Sequence, residues 1–276
     1  MPAETLSTAR RRWLKGATLA TLAWSTWSLP MPAAAQSAAE PSANYDALLK
    51  RYVSVGADGV NRVDFARWKE TTADREALDA FVADQSTRRP SAMPRAEAFA
   101  YWVNLYNAIH IKIILAHYPV PSFSETPSVD GPWKDKRITV EGRTFSLDEM
   151  KADVMRKGLA DVRLHYAVNC ASFGRPRLMP RAWRAETLDA DLDAAARAFI
   201  NHSRAVTVLP SGDLQVSTIF IWYMADFGGD SPAVIRHFEK YAEPALAARL
   251  SPGAKLVDGG YDWSVIALRP AGKSGG

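Results

Sequence analysis

A chain of 276 residues with a single cysteine, 23% charged residues and a formal net charge of +4 excludes several classes at once. A lone thiol forms no internal disulfide, so the fold must rest on its hydrophobic core. The positive charge sits largely at the N-terminus: residues 1–35 hold four basic residues and one acid, and without them the balance is +1, which argues against nucleic acid or an anionic membrane as partner.

In chain order, Arg10, Arg11 and Arg12 lead into Trp13, Leu14 and Lys15, then GATLATLAWSTWSL, then Ala33-Ala34-Ala35. A charged start, a short apolar middle and a small-residue end predict a cleaved export signal over 1–35. The paired arginines make it twin-arginine in type; an ordinary secretory signal with an extra Arg is the alternative. Thr and Ser interrupt the apolar run, which falls short of the ~20 apolar residues a membrane span needs, and no later stretch reaches that length. The expected mature protein is soluble and periplasmic or secreted, with no stable membrane insertion.

Residues 36–43 read as a flexible leader. A helix is predicted over 44–53 with Asn44 as its cap, and Val60, Val63, Phe65 and Trp68 follow as core residues. A second helix is predicted over 73–85, and the most apolar one over 94–118, ended by Pro119. Residues 119–135, with four prolines, read as an irregular loop. KRITVEGRTFSL alternates on both sides of Glu141-Gly142 and predicts a hairpin. Helix resumes over 147–157, VRLHYAV at 162–168 is strand-like in composition, and FGRPRLMPRAW is a Pro-rich loop. A helix over 187–202, a hairpin in AVTVLPSGDLQVS, two helical segments and a closing strand at 261–268 complete the chain. No repeat or linker divides it. The expectation is one α+β domain, 44–268, of packed helices with a small antiparallel sheet, and a disordered tail at 269–276.

Two places can carry chemistry. Glu97, Tyr101 and Asn104 lie at i, i+4 and i+7, forming one polar stripe on the most apolar helix, which Ala108 continues. The plain reading is a solvent-facing stripe or an ion pair from Glu97 to Arg143 or Arg163. The second place is HYAVNCASFG, 165–174. A free cysteine is most often a buried small apolar group, but Cys170 opens a Ser-Gly-Pro turn where backbone N–H groups can favour a thiolate and hold an oxyanion. His165 is then the candidate base and Glu97 its orienter. In a straight strand five residues span roughly 16 Å, so the pair needs a bend. His110, His117, His202 and His237 lack metal-ligand spacing, and no phosphate-binding or dinucleotide fingerprint is present; no cofactor and no metal are expected. Trp222, Tyr223, Asp226 and Phe227 read as core aromatics with Asp226 as a cap or ion-pair partner.

EAFAYWVNLYNAIHI, GRTFSLDEM, DVRLHYAVNCASFGRPRL, FIN and STIFIWYMADF, taken together, resemble the family catalogued as domain of unknown function number 547, over roughly 44–240 with a core at 94–227. The resemblance implies distant kinship with papain-like and transglutaminase-like cysteine enzymes, circularly permuted so that the His precedes the Cys. It implies Cys170, His165 and Glu97 as the catalytic set and matches Asn104 and Ser172 to further polar positions; Tyr101 and Asn169 join them as candidate binding residues. Many members carry a second Cys where this chain has Arg175, so a dithiol mechanism does not fit. The resulting expectation is an exported cysteine-dependent hydrolase or acyltransferase acting on an amide or thioester of a small-molecule or peptide-like substrate. The alternative is a non-catalytic envelope binding protein with an inert Cys.

Overall fold

Apolar side chains at 45, 48, 49 and 52 give helix α1 (Glu40–Tyr52) one buried face, and that face finds its partner in helix α3 (Thr72–Thr87). The computed structural model describes residues 40–268. The expected export signal over 1–35, residues 36–39 of the expected leader and the expected tail at 269–276 lie outside the described residues. Helix α1 starts four residues before its predicted Asn44 cap, so residues 40–43 of the expected leader are helical. Tyr45 stacks on Phe81 at 4.3 Å and Tyr52 on Trp68 at 4.6 Å, which locks α1 to α3 and to the short helix α2 (Phe65–Glu70). Strands β1 (Val53–Ser54) and β2 (Arg62–Val63) pair between α1 and α2. Val60, Val63, Phe65 and Trp68 are buried as predicted.

Helix α4 (Arg95–His117) is buried on nearly every side from Ala98 to Leu115. A helix apolar all round belongs in the interior, and the rest of the chain wraps this one. The hairpin forms as read: β3 (Lys136–Val140) pairs antiparallel with β4 (Arg143–Ser146), and Glu141 and Gly142 both take positive φ, as a tight two-residue turn requires. Ser146 and Glu149 exchange a capping box that starts helix α5 (Leu147–Glu149). The helix then widens into a π-helical segment, Met150–Leu159, ended by Ala160 in the left-handed region.

The chain differs from expectation at 162–168. The strand-like composition folds instead as a single helical turn, α6 (Leu164–Ala167), with Leu164, His165, Tyr166 and Ala167 all buried. Strand propensity reflects fit to a half-buried pleated surface; this segment is buried on every side, and no strand pairs with it among the described residues. Helix α7 (Leu188–Ile200), the hairpin β5 (Val206–Val208) and β6 (Leu214–Val216), helix α8 (Thr218–Trp222), the 3₁₀ turn Met224–Phe227 and helix α9 (Ser231–Tyr241) follow the reading. Helix α10 (Pro244–Ala247) comes next. Strand β7 (Leu256–Asp258), which pairs parallel to β6, has no counterpart in the sequence reading. The sheets are thus small and scattered, mostly antiparallel, within an α+β domain.

Residues 261–268 do not form a continuous strand. They stitch three regions through single bridges: Ser264 to Ser122, Val265 to Ser172 and Ala267 to Val63. The backbone bonds Phe173 N to Ser264 O, Gly174 N to Asp262 O and Ile266 N to Ala171 O, each 2.8 Å, seat this segment directly on the cysteine loop. No helix among the described residues is long and apolar enough to cross a membrane.

Candidate active site

The loop that follows α6 is held by its asparagines. Asn107 on α4 accepts from Asn169 N at 2.8 Å and donates to Ala167 O at 3.1 Å. Asn169 donates to Pro176 O at 2.7 Å and accepts from Ala171 N at 2.7 Å. These bonds hold Ala171 at φ 59°, a conformation costing a non-glycine residue about 1–2 kcal/mol. The turn places Cys170 and Ser172 side by side, with Sγ 3.0 Å from Ser172 Oγ. The expected roles of two groups change accordingly. The functional atoms of Asn169 are engaged in shaping the loop, and the Ala171 N–H, one of the turn's backbone groups expected to be free for an oxyanion, is bound to Asn169.

Cys170 is 2% exposed. Besides Ser172, its sulfur meets the Tyr261 hydroxyl at 3.5 Å, and Arg175 lies beside it. Burial opposes the thiolate, but the Arg175 charge and the hydrogen bonds of Ser172 and Tyr261 outweigh it, so the thiol is held below its ordinary range. Burial and, after it, the same sulfur push Tyr261 the other way, against the charge of Arg175.

His165 lies on α6 with its ring against Tyr223 at 4.3 Å and Phe227 at 5.4 Å. Its Nε2 is 2.7 Å from Asp226 Oδ2. Burial lowers the imidazole to about 4 despite that carboxylate, so at neutral pH it is uncharged. A neutral ring bonded to a carboxylate carries its proton on Nε2, which leaves Nδ1 as a bare lone pair. That Nδ1 is buried and has no hydrogen-bond partner. Asp226 is held far below the usual carboxylate range by His165 and by Arg156, which reaches both its oxygens at 2.6 and 2.7 Å. A cavity of about 230 Å³ opens beside the pair, lined by Arg156, Ala160, Asp161, Val162, His165 and Asp226.

Lys151, from the π-helical segment, bears electrostatically on both His165 and Cys170. Its Nζ donates to Tyr223 Oη at 2.6 Å and sits 4.1 Å from that ring's centre. Burial first, then the Arg175 charge, pushes the amine well below its ordinary value. Lys151 and Arg175 both bear electrostatically on His165 and on His110, so the cysteine, the two bases and the two cations form one buried polar cluster.

The Glu97 stripe is elsewhere. Glu97 is exposed, while Tyr101 is buried and Asn104 half-buried; the three line a cavity of about 450 Å³ with Asp46, Gln85, Arg88, Trp183 and Arg184 among its other walls. Tyr101 donates to Gln85 O at 2.6 Å. Asn104 donates to Trp183 O and accepts from Trp183 N, both at 2.9 Å, so its amide clamps the Pro-rich loop to α4. Arg143 pairs with Asp153, and Arg163 with Asp161, Asp189 and Asp193, so neither binds Glu97. The expected orienter is therefore corrected: the carboxylate on His165 belongs to Asp226, a residue the sequence marked only as a cap or ion-pair partner. Of the seven predicted residues, Cys170, Ser172 and Asn169 share the loop; His165, on the helical turn before it, is hydrogen-bonded to Asp226 and makes no hydrogen bond to Cys170; Glu97, Tyr101 and Asn104 gather around the other cavity. Lys151, Arg175, Tyr223 and Tyr261 carried no sequence signal as site residues, because nothing in local spacing brings 151, 175, 223 and 261 together.

Residues 90–200 match the family described as Protein of unknown function, DUF547, the family whose resemblance was read from the motifs. No curated protein and no solved structure matches the chain at a significant level.

Proposed function

We propose that the protein is a cysteine-dependent hydrolase or acyltransferase, working outside the cytoplasm on an amide or thioester of a peptide-like or thiol-containing substrate. The observation that carries this reading is the setting of the Cys170 sulfur, 3.0 Å from Ser172 Oγ and 3.5 Å from Tyr261 Oη with the buried Arg175 beside it, which holds the thiol below its ordinary range. A nucleophilic thiol needs that electropositive setting; an inert core cysteine does not. In this reading the thiolate attacks the carbonyl carbon and the acyl group passes to sulfur. The proton of the Cys170 thiol goes to the bare Nδ1 of His165, whose ring Asp226 orients, and from there to the leaving amine or thiol, which departs with the electrons of the broken acyl bond. Water or a second nucleophile then releases the acyl group. The order of His before Cys along the chain supports a permuted papain-like ancestry as part of the same proposal. The N-terminal arginine pattern and the small-residue end that follows it support export.

One observation favours the alternative, a non-catalytic envelope binding protein. The sulfur is enclosed, whereas a cavity of about 450 Å³ opens away from it at Glu97. Labelling with an electrophilic activity-based probe decides between them. The catalytic reading expects native protein to label at neutral pH and Cys170→Ala not to label. A thiol that labels only after unfolding rules that reading out.

A further inference from the structure

Arg175 is 6% exposed, and its guanidinium is charged under all ordinary conditions. Among the described residues no carboxylate forms an ion pair with it. Its Nε and Nη1 are buried without hydrogen-bond partners. Its environment is Tyr261, whose ring centre is 5.8 Å from Cζ, and the Cys170 thiol. Lys151, equally buried, has one hydrogen bond, to Tyr223, for its three donor positions. Asp226, the carboxylate on His165, is already taken by Arg156 and His165. Arg175 bears on the Cys170 sulfur, but a buried guanidinium with two donors unmade and no carboxylate paired to it costs several kcal/mol, a cost that an anion arriving from outside would offset.

We infer that Arg175, with Lys151 beside it, forms an anion-recognition site next to Cys170, and that its occupant is a carboxylate. Of the two orphaned donors, Nη1 shares the outer edge of the planar guanidinium with Nη2, and a planar carboxylate is a shape that such an edge can bind through parallel hydrogen bonds. Ser172 and Tyr261 stay on the sulfur, so an anion on Arg175 does not compete with their hydrogen bonds. The anion site stands on the unpaired donors alone. Its assignment to the substrate, as a carboxylate-bearing acyl compound, rests on the hydrolase reading above.

The test compares alkylation of Cys170 by iodoacetate, which carries a carboxylate, with alkylation by neutral iodoacetamide, each relative to free cysteine. The expected result is a preference for iodoacetate on the order of tenfold over free cysteine, the factor that about 1.4 kcal/mol of charge-assisted hydrogen bonding gives. Arg175→Gln should abolish it. Should Arg175→Gln fail to fold by circular dichroism, Lys151→Met should reduce the same preference. A ratio no higher than that of free cysteine overturns the inference. The second arm uses Cys170→Ser and reads the thermal midpoint in acetate and in inorganic phosphate. Acetate should raise it, and should not do so in Cys170→Ser/Arg175→Gln. Equal shifts in both proteins, or none, overturn the site; stabilisation by phosphate and not acetate overturns the carboxylate assignment. A thiol inert to both reagents together with an Arg175-dependent acetate shift upholds the anion site and removes the hydrolase reading.

Discussion

Asp226 accepts from His165 at 2.7 Å while holding Arg156 through both oxygens, so one carboxylate fixes a buried base and a partly buried cation together. Asp226→Asn keeps the shape and removes the charge. The expected loss is about 2 kcal/mol of stability, the range for hydrogen bonds to charged groups, measured by urea denaturation at pH 7. The ring of His165 should also lose its fixed tautomer, visible in its nitrogen chemical shifts. A variant as stable as the parent, with an unchanged imidazole spectrum, would remove Asp226 from the site.

That pair shows how far the sequence could be read. Helical spacing announced α1, α3, α4, α7 and α9, because each has a face that must be buried. The Glu141-Gly142 turn announced its hairpin, because few residues adopt two positive φ values in succession. At 162–168 the composition misled, since β-branched and aromatic residues suit any enclosed site and the neighbours of this segment are helices and loops. The cysteine loop was legible as a place where chemistry can happen. The identity of the carboxylate on His165 was not: Glu97 and Asp226 are equally distant in kind from His165 along the chain, and only the packing of α8 and the turn after it against α6 selects between them.

Stability should fall as the pH drops from 6.5 towards 4. His165 and His237 are lowered to about 4 and His110 to about 3, in each case chiefly by burial. Each folded value lies below the unfolded one, so the unfolded chain binds more protons throughout that window. The contribution of these groups is complete above the unfolded value and is lost as the pH falls through the folded one. Near pH 5 unfolding should take up about three protons, a slope of about 4 kcal/mol per pH unit. Urea midpoints at pH 7, 6 and 5 check this, and a flat profile would mean that the three rings are not buried neutral.

The thiol of Cys170 should titrate below the ordinary range of a free cysteine, with Arg175 as the charge that lowers it. Rates of alkylation by iodoacetamide across pH give the apparent value. In Arg175→Gln burial remains and the charge is gone, so the value should rise above that of the parent, and the rate at pH 7 should fall about tenfold for each unit of rise. An unchanged profile would show that the guanidinium does not govern the sulfur.

Glu97 and Asn104 share a helix face and a cavity, but they should respond in opposite ways to substitution. Asn104 holds the backbone of Trp183 through both a donor and an acceptor. Asn104→Ala leaves the Trp183 carbonyl and amide without those partners, at an expected cost of about 2–3 kcal/mol for the two bonds, and Trp183 emission should shift as the loop loosens. Glu97 is exposed, and Glu97→Gln should change stability by less than about 0.5 kcal/mol. Because the carboxylate on His165 is that of Asp226, Glu97→Gln should also leave the pH profile of Cys170 alkylation where it was. A displaced profile in Glu97→Gln would mean that the stripe and the cysteine loop communicate, and would return Glu97 to the catalytic set from which the geometry separates it.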